Sequence, residues 1–218
     1  MEITNSAHHQ HAEDYLSKLS AALQAMDKDA LGRFIRLINE SIGTERTVFI
    51  AGNGGSAATS SHMACDLGKT ILGKSPRENR RRLRTISLND SIPAITAWAN
   101  DEAYDFVFAE QLKSLGKAGD ILIIITGSGN SRNILEAAQA ARELGVHTFG
   151  LLGFGGGKVR PMLDDCLLID SHDYGVVEDA HSIVNHLVTD WFKQRVGGGE
   201  REAKAAFPLT AVAGFVER

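Results

Sequence analysis

Two stretches of the chain set ionisable residues at helical spacing. In Ser61-His62-Met63-Ala64-Cys65-Asp66, His62 and Asp66 stand four apart, so a helix would carry both on one face. Such a pair offers two ligands to a metal, sets a base beside its partner, or is an ordinary surface pair. In Glu178-Asp179-Ala180-His181-Ser182-Ile183-Val184-Asn185-His186, a carboxylate and two imidazoles recur. An unbroken helix would hold Glu178 and His186 about 12 Å apart along its axis. One ligand can then meet both only if side chains lean inward, if Glu178 precedes the helix, or if subunits interleave. His181 serves equally well as a structural histidine. Carboxylate and imidazole together are the equipment of proton transfer or of a divalent-metal site.

Two other segments suit an anion. Gly52-Asn53-Gly54-Gly55-Ser56 follows the apolar run TVFIA, and Gly127-Ser128-Gly129-Asn130-Ser131 follows DILIIIT. Each precedes a helical pattern. Glycine lets backbone approach a ligand, and a helix N-terminus presents unpaired N–H groups and a positive dipole end. Hydroxyls without a Walker lysine fit a sugar phosphate better than a nucleoside triphosphate. The first loop is not GxGxxG and no acidic residue ends the following strand, so no nucleotide cofactor is expected.

These residues need elements to place them. The short apolar runs at 47–52, 84–88, 120–126, 147–152 and 165–170 alternate with helical segments, which predicts an α/β fold. Its parallel sheet would be flanked by helices in three layers. The predicted helices include 56–67, 104–115, 131–144 and 179–195. Before them, Tyr15, Leu16, Leu19, Leu23 and Met26, then Leu31, Phe34, Ile35 and Ile38, make two apolar stripes separated by a candidate N-cap, Asp27. The expected division is a helical hairpin over residues 1–42 that docks on another subunit, a main domain over 43–196, and a tail over 197–218 that opens with three glycines.

The chain has 218 residues, a formal charge of −4 and 43% hydrophobic content. No membrane span or signal peptide is expected, and the compartment expected is the cytoplasm. The acidic balance argues against nucleic acid as a partner, and the arginine-rich run 77–84 reads as a solvated loop. Cys65 and Cys166 make no disulfide framework. His8, His9 and His11 read as part of a terminal arm.

GNGGS, TGSGNS and GFGGGK (Gly153–Lys158) together resemble the sugar-isomerase (SIS) domain, in its phosphoheptose isomerase branch. That resemblance implies an aldose–ketose isomerase that interconverts sedoheptulose 7-phosphate, or a related phosphosugar, with its aldose through an enediol. It implies a homotetramer with sites at subunit interfaces. The family's H-x-x-x-E falls on His62 and Asp66, with aspartate in place of the glutamate base. Its Q-x-x-H-x-x-x-x-H falls on Glu178, His181 and His186. Asp66 is then the expected base and His186 its acid partner. His62, Asp66, Glu178 and His186 become the expected ligands of one divalent metal, Zn²⁺ foremost. Substrate contacts carry over to Asn53, Gly54, Gly55, Ser56, Asp101, Thr126, Ser128, Asn130, Ser131 and Glu178. Asp101 reads equally as a helix cap. Thr126 stands for a serine and Gly127 for a threonine, which costs one hydroxyl. Gly175 stands where an aspartate is frequent. A second reading is a non-catalytic SIS adaptor or sugar-phosphate sensor. The adaptor pattern lacks the acid and the last histidine, both of which this chain keeps.

Overall fold

In the computed structural model, which describes residues 5–73, 78 and 80–196, five strands form one all-parallel sheet. They are β1 (Thr47–Gly52), β2 (Arg84–Ser87), β3 (Ile121–Thr126), β4 (His147–Leu152) and β5 (Asp165–Leu168), in the spatial order β2-β1-β3-β4-β5. Every residue of β1 and β3 is buried. That follows from helices covering both faces, and explains why these strands are continuous apolar runs. The tail 197–218 and Arg77 lie outside the described residues.

Alternate strand residues feed two cores. Val48, Ile50, Ile123, Ile125, Phe149 and Leu151 point to a face covered by α2 (Lys28–Ser41), α3 (Gly55–Gly68) and α7 (Tyr174–Val196). Phe49, Ala51, Leu122 and Ile124 point to the other, under α5 (Ala109–Leu115) and α6 (Arg132–Leu144). The N-terminal helices belong to the first core. Asp27 caps α2, accepting from the amides of Asp29 and Ala30. Phe34 is fully buried and stacks on Phe149 at 4.7 Å. Arg33 donates to Asp165 on β5 at 2.6 Å, an ion pair that holds the Asp165 carboxyl below its usual range. α1 (Asn5–Ala25) lies more loosely. Tyr15, Leu19, Leu23 and Met26 pack on the core, whereas Leu16 is 62% exposed. Its firmest polar tie is Tyr15, whose hydroxyl donates to Asp179 of α7 at 2.6 Å, raising the phenol pKa to about 12.

The sequence pattern misplaces two elements. The expected helix 104–115 breaks into a 3-10 turn, Tyr104–Phe106, and α5, while an unexpected helix α4 spans Ile92–Asp101 with Ser91 as N-cap. Asp101 therefore ends a helix instead of starting one. α7 begins at Tyr174, five residues earlier than the pattern suggests, so Glu178 lies inside it.

α7 carries a buried polar stripe one turn apart: His181, Asn185 and Thr189. Burial pushes the His181 pKa down to about 4, against a lesser upward pull from the Leu152 carbonyl, and neither ring nitrogen completes a hydrogen bond of normal geometry. The folded state thus resists a proton that the unfolded chain accepts near pH 6.5. Stability contributed by neutral His181 is intact above pH 6.5 and drains away as pH falls toward 4. The expected loss is on the order of 3 kcal/mol. Urea unfolding followed across that window should show the decline, and His181→Leu should flatten it.

Candidate active site

A 2-1-3-4-5 parallel sheet has a switch point between β1 and β3, where successive connections leave in opposite directions and ligands enter at the strands' carboxyl ends. Both glycine loops lie there. After β1, Gly54 takes φ 57° as N-cap of α3 and offers no side-chain cap, leaving the helix end to its own N–H groups. After β3, Ser131 is the N-cap of α6, and its hydroxyl makes no capping bond. Uncapped N-termini of this kind suit an anion, and at α3 the Glu178 carboxylate stands against Gly55.

The loops are braced by residues outside the two motifs. Asn89 clamps Gly52, donating to its carbonyl at 2.8 Å and accepting from its amide at 3.2 Å. The Asn53 and Asn133 amides pair reciprocally at 2.8 and 2.9 Å, and the Tyr104 hydroxyl adds a bond to Asn53 Oδ1 at 3.1 Å. The Asn53 side chain therefore keeps only one N–H for a ligand. Thr126 Oγ1 accepts from the Gly129 amide at 3.2 Å. Asn130 donates to Ser128 O and accepts from Lys158 N, which ties the serine loop to the 153–158 loop. Ser56 is buried, Ser128 and Ser131 are half-buried, and Asp101 is exposed. Over Gly127 stands an aromatic lip. Tyr174 and Phe154 pack at 4.4 Å, with His172 against Phe154 at 5.5 Å. A Cβ on Gly127 would lie 3.0 Å from the Tyr174 ring, so the ring occupies space beside the loop that a larger residue would need. Phe154 adopts φ 49°, a backbone state rare outside glycine.

α3 and α7 run parallel and in register. Glu178 sits over Gly55, where a Cβ would overlap its carboxylate. Thr59 and Ser182, 123 residues apart, share a hydrogen bond of 3.4 Å. The rings of His62 and His186 lie 4.9 Å apart, edge to face. One turn on, Asp66 Oδ2 accepts from Asn185 Nδ2 at 2.9 Å and lies 3.3 Å from His62 Nε2. His62, Asp66 and His186 each bring one donor atom within 4.8 Å of the others. Two imidazoles and a carboxylate are a set that binds zinc and related divalent ions with a position left open.

Glu178 is not brought to this cluster. It lies two turns back along α7, at the α3 N-terminus, because residues 178–186 are helical throughout. The expected four-ligand set is thus three residues within one chain, with the fourth carboxylate at the N-terminus of α3. There its charge favours the helix dipole.

Comparison with known proteins bears on this geometry. A family model described as the SIS domain matches residues 13–153. The chain belongs to the SIS-domain family. Its SIS fold is 36% identical over 180 residues to a phosphoheptose isomerase of Helicobacter pylori, covering 82% of this chain and 91% of that one. A phosphoheptose isomerase of Geobacter sulfurreducens is 35% identical over 190 residues, with 84% and 98% covered. The solved phosphoheptose isomerase from Neisseria gonorrhoeae superposes with a TM-score of 0.76 at 28% identity, covering 87% of this chain and 98% of that chain.

The serine loop depends on Gly129, at φ 66°, where a Cβ would collide with the Gly156 carbonyl. Gly129→Ala should cost more than the about 1–2 kcal/mol of left-handed backbone alone. A lowered urea midpoint with unchanged m value would report it.

Proposed function

We propose that this SIS protein is an aldose–ketose isomerase of a phosphorylated sugar, with sedoheptulose 7-phosphate as its substrate, in keeping with the names of its relatives. The observation that carries the reading is the convergence of His62, Asp66 and His186 on the seam between α3 and α7, two turns along from the glycine loop that opens α3. The phosphate is held by the loops Gly54–Ser56 and Ser128–Ser131 through their amides and hydroxyls. The Asp66 carboxylate removes the proton from the carbon next to the carbonyl, giving an enediol. The proton returns to the neighbouring carbon, and His186 serves as acid partner. His62 steadies Asp66 Oδ2. A divalent ion, Zn²⁺ by donor chemistry, would be held by His62, Asp66 and His186 and would polarise the carbonyl. The retained acid and histidine support catalysis over the adaptor reading.

A homotetramer is part of the proposal. None of the ten residues of α4, IPAITAWAND, is buried, and Ile92 is 64% exposed. Ile86 and Leu115 add exposed apolar surface around one shallow hollow. A patch of this kind marks an interaction surface. Among the described residues no helix is long and apolar enough to cross a membrane.

The chemistry is tested by exchange of the carbon-bound proton with deuterated solvent. Asp66→Asn and His186→Ala should each lower kcat by about 10²–10⁴ while leaving the urea midpoint nearly unchanged. Wild-type exchange in both would return the lead to the adaptor or sensor. Light scattering at micromolar concentration should give the mass of four chains, and a stable monomer would remove the shared-site model.

A further inference from the structure

Asp66 is one methylene shorter than the glutamate of the pattern it resembles, and it is 7% exposed. A buried carboxylate on so short a stem goes where its partners hold it. Among the described residues, every hydrogen bond or close ion pair to Asp66 ends on Oδ2: Asn185 Nδ2 at 2.9 Å and His62 Nε2 at 3.3 Å. Oδ1 is thereby left as the oxygen that can accept a proton.

The two partners differ. The His62 side chain is 51% exposed and is itself a candidate metal donor. Asn185 is 1% exposed and fixed within α7, immediately before His186. Its amide is neutral, so it can orient the carboxylate without cancelling its charge, as an ammonium would. Folding alone does not account for an amide at this position. Asn185 Oδ1 is buried with no hydrogen-bond partner, and the neighbouring polar groups of His181 and Thr189 are likewise unpartnered. A leucine of similar size would remove this orphaned acceptor, at the cost of one donor to the buried Asp66 carboxylate. The side-chain hydrogen bond Asn185 does make is to Asp66.

We infer that Asn185 is a positioning residue. By gripping Oδ2 of Asp66, it sets the shortened acid at the reach needed for proton abstraction. The inference rests on Asp66 being the base in the function proposed above. Asp66 and Asn185 then form one unit whose members cannot be changed singly. A glutamate at 66 would drive its carboxylate into the Asn185 amide, and an apolar residue at 185 would leave the short acid unaimed.

The test is a two-by-two set of Asp66→Glu and Asn185→Leu, with Asp66→Asn as reference, assayed with sedoheptulose 7-phosphate and by solvent-deuterium exchange. Asn185→Leu should lower kcat about 10- to 100-fold, the usual cost of losing an outer-shell partner. KM should stay within about twofold because the phosphate grip lies elsewhere. The melting temperature should change little, because loss of the donor to Asp66 is offset by removal of the orphaned Asn185 acceptor, and a kcat loss at unchanged KM separates positioning from a structural role. Asp66→Glu alone should also lose kcat, and the double variant should exceed both singles. Should the leucine variant not fold, Asn185→Ala is read in the same way. If Asp66→Asn abolishes exchange while Asn185→Leu keeps kcat within about twofold, or the double variant is no better than the poorer single, the base stands and the positioning role is overturned. If Asp66→Asn still exchanges at the wild-type rate, the base assignment fails and the inference with it.

Discussion

The parallel, in-register contact between α3 and α7 is the constraint on which the candidate site depends. The two helices come from opposite ends of the main fold, yet Gly55 meets Glu178, Thr59 meets Ser182 and His62 meets His186. The small residues Gly55, Thr59 and Ser182 line the early part of the seam. Its later part carries the polar residues His62, Asp66, Asn185 and His186. Sliding α7 by one turn would leave each of them facing the wrong partner. The sheet beneath fixes the register, since Val176, Val177, Ala180, Val184 and Val188 of α7 join the same core as Val48 and Ile50 of β1.

The other half of the site is made by backbone. Loops after parallel strands at a switch point leave amides without sheet partners. Here asparagines and glycines shape those amides into cradles. Asn89 extends the pairing of β1 by one residue through a side chain. Asn130 stitches the loop after β3 to the loop after β4. The hydroxyls expected to grip phosphate ride on this frame. Several residues singled out by motif, Asn53, Thr126 and Asn130 among them, use part of their hydrogen-bonding capacity to hold it together.

Periodicity made much of this legible. Continuous apolar strands revealed the parallel sheet. The i,i+4 pair His62 and Asp66 announced a shared face, and Asp27 was readable as a cap. What stayed hidden depends on contacts between distant segments. α4 escaped because none of its residues is fully buried and its core-facing stripe is short, Ile95, Trp98 and Ala99 packing half-buried on the second core. The early start of α7 escaped because Tyr174 and Gly175 lack apolar period. It moved Glu178 away from a set in which the family resemblance had placed it. Asn185 drew no attention because an asparagine within a helix carries no local signal, and its partner lies 119 residues away. Tyr174 and Phe154 gain meaning only once the sheet brings them over Gly127.

The tie between Tyr15 and Asp179 spans 164 residues. α1 contributes Tyr15, Leu19 and Leu23 to a core completed by α7, so α1 is synthesised well before the helix against which it buries them. Domains emerge from synthesis N-terminus first, and here α1 is sealed by a helix made after every strand of the sheet. Until α7 is made, that apolar stripe lacks one of the surfaces on which it packs. The order of synthesis and the order of burial thus run against each other. Burial of the α1 stripe is therefore a late event, which comes only after α7 has been made.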